Sequence, residues 1–572
     1  MTNANNVQRV VYKDWEQGYN ARIRTLGENT SDYTTMNMQV YDNGTLGVRP
    51  WCRLKATTNL DASDTLDNGA SLQWREAEDN SKGNLWLNGL SGDVWVYDLN
   101  ANTWATGASI AGAAVDVNVT STDNRAAQWG QRNDWDSDGE LVGSSQHAVM
   151  PMGTWVFQGE FYVAHNDDGS PMTWPNGDYQ KTSFAFYRDR ILSWHAVTDT
   201  GSPYANILYY TDAGSYTSAT TGNFFSIGAD SKGYYILGAW TLNESLLICM
   251  SDGNWWVLTG TPENGNLRSI GIFPTPSHGA AGTVLNNAVY FQAPYGRQVC
   301  VATPNGVDST TLSHVRPWNS DADWSIFHDY RALSSPQEQS IFLPSLRNNA
   351  DEWFDALEMI NGSWNYSAFG RIEMGTLQGN LGYLRDTALI ARNKAYAFIM
   401  EDPGDPGGHE TQLYTRDIVL NRPSRSDDYW SDIKEVAAGA TSTVVSKGAV
   451  KLASFSPEGQ EVRVRQVMVD FHYWSDGETY YKNPEMKCLL MDGANTTRET
   501  IDTFVYSAMP AGGDVLLGKP WRHIFRFPID DNAFEITQQI LIEEIMSIAI
   551  DRIVVDYEVR PDNHFAGQMV GT

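Results

Sequence analysis

The chain is 572 residues long, with 40 Lys and Arg against 69 Asp and Glu and a formal net charge of −29. An acidic excess of that size, with no basic run, excludes a protein that holds nucleic acid by neutralising phosphates. Hydrophobic residues make up 41% and charged residues 19%, which excludes a disordered chain and supplies ample core material.

Four cysteines, Cys52, Cys249, Cys300 and Cys488, stand far apart in sequence, so neither a zinc ribbon nor a dense disulfide framework is expected. The opening MTNANNVQRVVYKDWEQ has no apolar run behind a basic start, unlike a secretory signal. Apolar stretches such as LLIC at 246–249 fall far short of the ~20 residues of a membrane-spanning helix. The expectation is a soluble protein made in a cytoplasm.

Taken along the chain, the predicted elements are short strands. Segment 36–54, MNMQVYDNGTLGVRPWCRL, reads as early strands that complete the last unit of a repeat. The repeat is clearest at 92–104, GDVWVYDLNANTW, where Val94 and Val96 alternate with Trp95 and Tyr97 before an Asn-rich turn and Trp104. Looser copies begin at 161, 207, 246, 288, 352 and 395. Their spacing, roughly 40 to 70 residues, fits four-stranded propeller blades. One such unit cannot bury both of its faces alone, and stacking in a ring solves that.

Near 421–440 the pattern changes to a turn-rich stretch, NRPSRSDDYWSD, then small residues. Longer strands follow at 467–474, 521–530 and 550–559. Their period-two alternation predicts one apolar face and one wet face. The single helix expected is 535–547, EITQQILIEEIMS, from the spacing of Ile536, Ile540, Leu541 and Ile545. The expected architecture is therefore all-β: a large β-propeller of six to eight blades over 1–430, followed by a C-terminal antiparallel β-sandwich over 431–572.

Chemistry-bearing motifs are absent: there is no P-loop, no dinucleotide-binding glycine fingerprint, no HExxH and no GxSxG. No catalytic residue and no organic cofactor is expected. One loop, NDWDSDGEL at 133–141, sets Asp134, Asp136 and Asp138 before Gly139. Alternate carboxylates in a tight loop can converge on Ca²⁺. Position nine of the loop is Val142 and position twelve is Ser145, so the later carboxylates of known calcium loops are missing and a solvated acidic turn is the competing reading. Asp-Gly turns at 211–217, 251–256 and 475–481 resemble the structural Asp boxes of sialidases. Exposed Trp and Tyr could stack on sugar rings, whereas at blade spacing the same residues fill the gaps between blades.

The order of DWEQGYN (14–20), NGTLGVRPWCRL (43–54), LYYTDAG (208–214), LGAWTLNESLLICMSDGNWWVLTG (237–260) and NAVYFQAPYGRQV (287–299) resembles the β-propeller virion proteins of tailed bacteriophages. It is most similar to the tail tubular protein B, or nozzle, group and related tail-tip proteins. Gly47, Arg49 and Pro50 fit that family's glycine-led stretch, while Trp51 stands where the family has glycine. The resemblance implies a structural virion protein assembled in the host cytoplasm and no enzyme. It implies identical copies in a cyclic ring, contacts to other tail proteins or fibres, and genomic DNA that passes without being held. The alternative on the residues alone is a carbohydrate-binding or carbohydrate-active propeller.

Overall fold

The computed structural model describes the strands named below together with residues 13, 15, 44–45, 188–189, 206, 211–214, 220, 222–223, 227–228, 234–235, 242–244, 251–253, 260–265, 273–276, 281, 286–287, 304–305, 309, 332, 336 and 339. Every regular element among them is a strand. Strands β1 (Val7–Tyr12), β2 (Tyr33–Met36), β3 (Met38–Val40), β4 (Leu46–Val48) and β5 (Cys52–Asn59) open the chain. A four-stranded antiparallel meander follows: β6 (Ser71–Glu76), β7 (Gly83–Asn88), β8 (Val94–Asp98) and β9 (Thr103–Thr106). Strands β10 (Thr154–Phe157) and β11 (Glu160–Val163) form a hairpin.

Three more meanders come next. They are β12 (Ser183–Tyr187), β13 (Arg190–Trp194), β14 (Ile207–Tyr210) and β15 (Phe224–Ser226); β16 (Ile236–Thr241), β17 (Ser245–Met250), β18 (Asn254–Thr259) and β19 (Asn266–Ile272); and β20 (Gly282–Leu285), β21 (Ala288–Ala293), β22 (Gln298–Thr303) and β23 (Gly306–Asp308). Strands β24 (Leu333–Ser335), β25 (Ser340–Arg347), β26 (Asp351–Ile360) and β27 (Ser363–Gly370) repeat the pattern. In the last repeat, β28 (Tyr383–Ile390), β29 (Ala395–Asp402) and β30 (Glu410–Asp417) receive a fourth strand from the start of the chain, because β5 pairs with β30.

The opening strands of these sheets lie side by side in a consistent order. β12 abuts β16, β16 abuts β20, β20 abuts β24, β24 abuts β28, and β28 abuts β6. The sequence explains the face-to-face arrangement. All six residues of β17, SLLICM, are buried, and a strand covered on both faces reads as a continuous apolar run. Leu246, Ile248 and Met250 pack with Leu192, Trp194, Leu208 and Tyr210 of the preceding sheet. Leu247 and Cys249 pack with Val289, Phe291 and Cys300 of the following sheet. The third interval is filled by Leu285, Tyr290 and Val299 with Ile341 of β25.

The C-terminal strands are β31 (Gly448–Leu452), β32 (Val462–Trp474), β33 (Glu485–Met491), β34 (Thr497–Val505), β35 (Trp521–Ala533), β36 (Thr537–Glu543) and β37 (Ser547–Val559). They do not form a unit of their own. β37 pairs with β32, β4 and β1, and β32 pairs also with β35. β31 pairs with β2, which touches β27 in parallel through Met36 and Ala368, so one sheet runs from β24 through β27 and β2 to β34. Strands β1, β2 and β4 thus pair with strands on the far side of the boundary expected at 430.

Two expectations are corrected. The segment expected as a helix over 535–547 holds strand β36, which pairs with β31 on one side and β33 on the other. Two ladders outweigh a helical spacing that could be satisfied only in isolation. The wet face expected on the long strands is not wet throughout. Asp470 and Asp556 are 2% and 3% exposed, and both are matched by arginines described below.

A cut at residue 440 removes β37, the partner of β1 and one of the two partners of β4. In a chain ending there, limited proteolysis is expected to digest residues 7–12 under conditions that leave them intact in the full chain. Equal protection in the two chains would contradict the pairing described.

Candidate functional site

The residues with distinctive polar chemistry fall in two places. The first is a belt of turns that join successive sheets. Arg188 and Asp189 turn the β12–β13 hairpin with φ of 46° and 57°, and Asn286 and Asn287 turn β20–β21 with 49° and 62°. Asn tolerates this left-handed region better than most residues, and paired positive φ values match the twist of a tight hairpin. The Arg188 guanidinium donates to the Glu244 carbonyl of the β16–β17 turn at 3.1 Å. In that same turn the Asn243 amide donates to Asn287 Oδ1 at 2.7 Å. Asn286 Nδ2 then donates to Gln339 Oε1, beside β25, at 2.7 Å. Four consecutive hairpin turns are linked in series.

The belt is anchored beneath. The buried Tyr187 hydroxyl lies 2.8 Å from the Gly260 carbonyl. Arg190, itself buried, donates to Glu263 Oε1 at 2.7 Å. Burial draws the Glu263 carboxyl upward, but its own backbone amide and Arg190 hold it below the usual carboxylate range. Each of these bonds crosses from one sheet to the next, so they fix relative orientation where the apolar core fixes distance.

The second place is the sheet edge where the two ends of the chain meet. Arg9 of β1 grips Asp556 of β37 with two hydrogen bonds, Nε to Oδ1 at 2.6 Å and Nη2 to Oδ2 at 2.9 Å. Such a fork adds geometric specificity to charge attraction. The hydrogen bond to Asp556 and then its charge raise the Arg9 pKa further above its ordinary value. Gln466 Nε2 of β32 donates to Asp556 Oδ2 at 2.6 Å. Tyr557 donates to Gln8 Oε1 at 2.7 Å. The fully buried Trp15 donates from its ring to the Asp551 carbonyl at 3.1 Å. On the same strands, Arg552 pairs with Asp470 at 3.0 Å and Arg465 with Glu558 at 2.6 Å.

Asp134, Asp136 and Asp138 lie outside the described residues, as does the Asp-Gly turn at 475–481. Among the described residues, no group of three or more His, Cys, Asp or Glu side chains is placed to hold a metal ion, and no helix is long and apolar enough to cross a membrane. The turn at 251–256 does what its Asp and Gly suggest. Asp252 Oδ1 accepts from the Asn254 amide at 2.9 Å, and Gly253 takes φ 86°. Asp212 ties its loop to Thr220 and Asn223 at 3.1 and 2.8 Å.

Sequence reading missed both polar places. Arg9 carries no sign of a partner 547 residues away. The usable signal was an Asp at position 470 and another at 556, each inside a strand otherwise rich in Val, Ile and aromatics.

No family profile matches the sequence, and no curated protein matches it. Among solved structures, the chain is similar to one in the crystal structure of a mitotic checkpoint complex, with 8% identity, 64% of this chain and 92% of that chain covered, and a TM-score of 0.34. It is similar also to YCF48 from Cyanidioschyzon merolae, with 11% identity, 62% and 98% covered, and a TM-score of 0.32.

The buried core carries a pH prediction. Burial pushes the Tyr235 hydroxyl and the Cys300 thiol each up to about 12, and raises the Cys249 thiol well above its ordinary value. Groups held neutral in this way contribute stability that is fully present below their ordinary values. It is lost as pH rises toward the folded values. The melting temperature is expected to hold between pH 7 and about 8.5 and to fall steadily above about 9. A Tyr235→Phe variant should fall less steeply above about 10; an identical slope would assign the loss to other groups.

Proposed function

We propose that the chain is a structural protein of a bacteriophage tail, part of a ring-shaped DNA conduit at the nozzle or tail tip, which docks neighbouring tail or fibre proteins through its C-terminal sheets. In this reading the successive sheets are the blades of one propeller. The hairpin β10–β11 marks a seventh blade, and the β5–β30 pairing closes the ring. The resemblance over residues 14–300 supplies the biological setting.

The supporting observation is where the aromatic residues lie. Trp240 stacks on Trp255 with centroids 5.8 Å apart, and Trp255 stacks on Phe291 at 5.5 Å, all between sheets. Trp194 is buried in the neighbouring interval. A sugar-binding protein would present such rings to solvent in a row. Among the described residues, the exposed large hydrophobics are Val7, Phe224, Tyr234 and Ile272. None of the four is a tryptophan, which does not favour the carbohydrate reading. Rigid inter-sheet packing suits a spacer. A net charge of −29 suits a conduit, because like charges within a Debye length of ~8 Å repel a passing polyanion.

Electron microscopy and mass photometry of the purified full chain test this. The expected result is a closed ring of identical copies, with no gel shift of duplex DNA at physiological salt. A monomer that binds a glycan array would overturn the proposal in favour of a carbohydrate-binding propeller.

A further inference from the structure

The β18–β19 turn, GTPENG at 260–265, is a part of its sheet that reaches the preceding sheet. Its Gly260 carbonyl accepts from Tyr187 at 2.8 Å, and its Glu263 carboxylate accepts from Arg190 at 2.7 Å. The turn is tight. The Asn264 amide donates to the Thr261 carbonyl at 3.2 Å. A Cβ on Gly265 would lie 2.5 Å from the Thr261 carbonyl oxygen, 2.7 Å from Leu258 Cδ1 and 2.8 Å from the Thr259 carbonyl oxygen. Packing therefore demands glycine at 265, directly after the exposed Asn264.

That pair is chemically labile. The backbone nitrogen that follows an asparagine can attack the side-chain carbonyl carbon, and glycine, with no Cβ, leaves that nitrogen unshielded. A bond forms between the Gly265 nitrogen and Asn264 Cγ, and the Cγ–Nδ2 bond breaks. Ammonia leaves, carrying the proton of the attacking nitrogen. Water then opens the five-membered imide at either carbonyl. The products are aspartate and, where the backbone now runs through the side chain, isoaspartate.

Two Asn-Gly pairs lie among the described residues, and the fold treats them differently. Asn305 is exposed, as Asn264 is. Gly306, however, opens β23 opposite Thr303, so its amide is committed to the ladder. β19 pairs only from Asn266, opposite Thr259, which leaves the Gly265 nitrogen outside the ladder.

We propose that Asn264 is a site of self-modification, which converts to isoaspartate in the folded chain and thereby releases the brace between two neighbouring sheets. Isoaspartate adds one methylene to the backbone of a turn that has no room at its next residue. It also sets a second carboxylate beside Glu263, which repels that residue and competes with it for Arg190. The inference does not depend on the virion reading and is tested on the isolated protein.

The full chain is held at physiological temperature and pH and followed by peptide mapping, with isoaspartate scored by enzymatic methylation. In the folded chain Asn264 is expected to convert at least tenfold faster than Asn305. In urea, where the ladder is gone, the two rates should come within about threefold of each other. A ratio no larger in the folded chain than in urea, or an intact Asn264 beside a converted Asn305, would overturn the proposal. On ageing, the natural chain should lose more melting temperature than an Asn264→Gln chain, because Gln must close a larger ring and does so more slowly. Equal loss in the two chains, once Asn264 has converted, would overturn the release of the brace.

Discussion

A sheet that is apolar on both faces must be covered on both faces, and the middle of this protein follows from that constraint. Strand β17 has no polar face to give to water. It can exist only between two other sheets, and they in turn need covering. Burial of a large apolar side chain is worth about 1.5–3 kcal/mol, and the two intervals on either side of β17 together hold more than a dozen such side chains. The sheets are pressed together closely enough to restrict even glycine. A Cβ on Gly282 would lie 2.8 Å from the ring of Trp240, whose Nε1 donates to the Gly282 carbonyl at 3.1 Å.

Apolar contact is not directional, so it sets the separation of the sheets but not their angle. Direction comes from the polar groups at the turns. Arg188, Asn243, Asn286, Asn287 and Gln339 carry hydrogen bonds from one hairpin to the next, and the Arg190–Glu263 pair braces the same joint from below. Bonds at exposed turns contribute little each, about 0.5–1.5 kcal/mol, yet their geometry admits one arrangement. The C-terminal sheets follow a different plan. There the two ends of the chain are joined by long ladders, and the buried carboxylates of Asp470 and Asp556 are matched by arginines.

Much of the middle was legible in the sequence. The run SLLICM in β17, the alternation in β8 and the Asp-Gly turn before Trp255 all form as strand and turn chemistry predicts, because each signal is local. What was not legible depends on distant partners. The spacing of Ile540, Leu541 and Ile545 suggests a helix, and only ladders to β31 and β33 make residues 537–543 a strand. The charge on Asp556 reads as solvent-facing until Arg9 arrives from the other end of the chain. The pairing of β1, β2 and β4 with the C-terminal strands has the same origin: pairing over more than 400 residues leaves no periodic trace. Asp134, Asp136 and Asp138, the one metal-like motif in the sequence, fall outside the described residues.

The central claim is that neighbouring sheets stand or fall together because each is the other's core. Native-state hydrogen exchange on a Gly282→Ala variant tests it most directly. The added methyl must displace Trp240, an overpacking cost of about 1–3 kcal/mol. Amides of β17 and β18 in one sheet and of β21 and β22 in the next are expected to lose protection by the same factor. Loss confined to β20–β23, with β16–β19 exchanging as before, would contradict the claim.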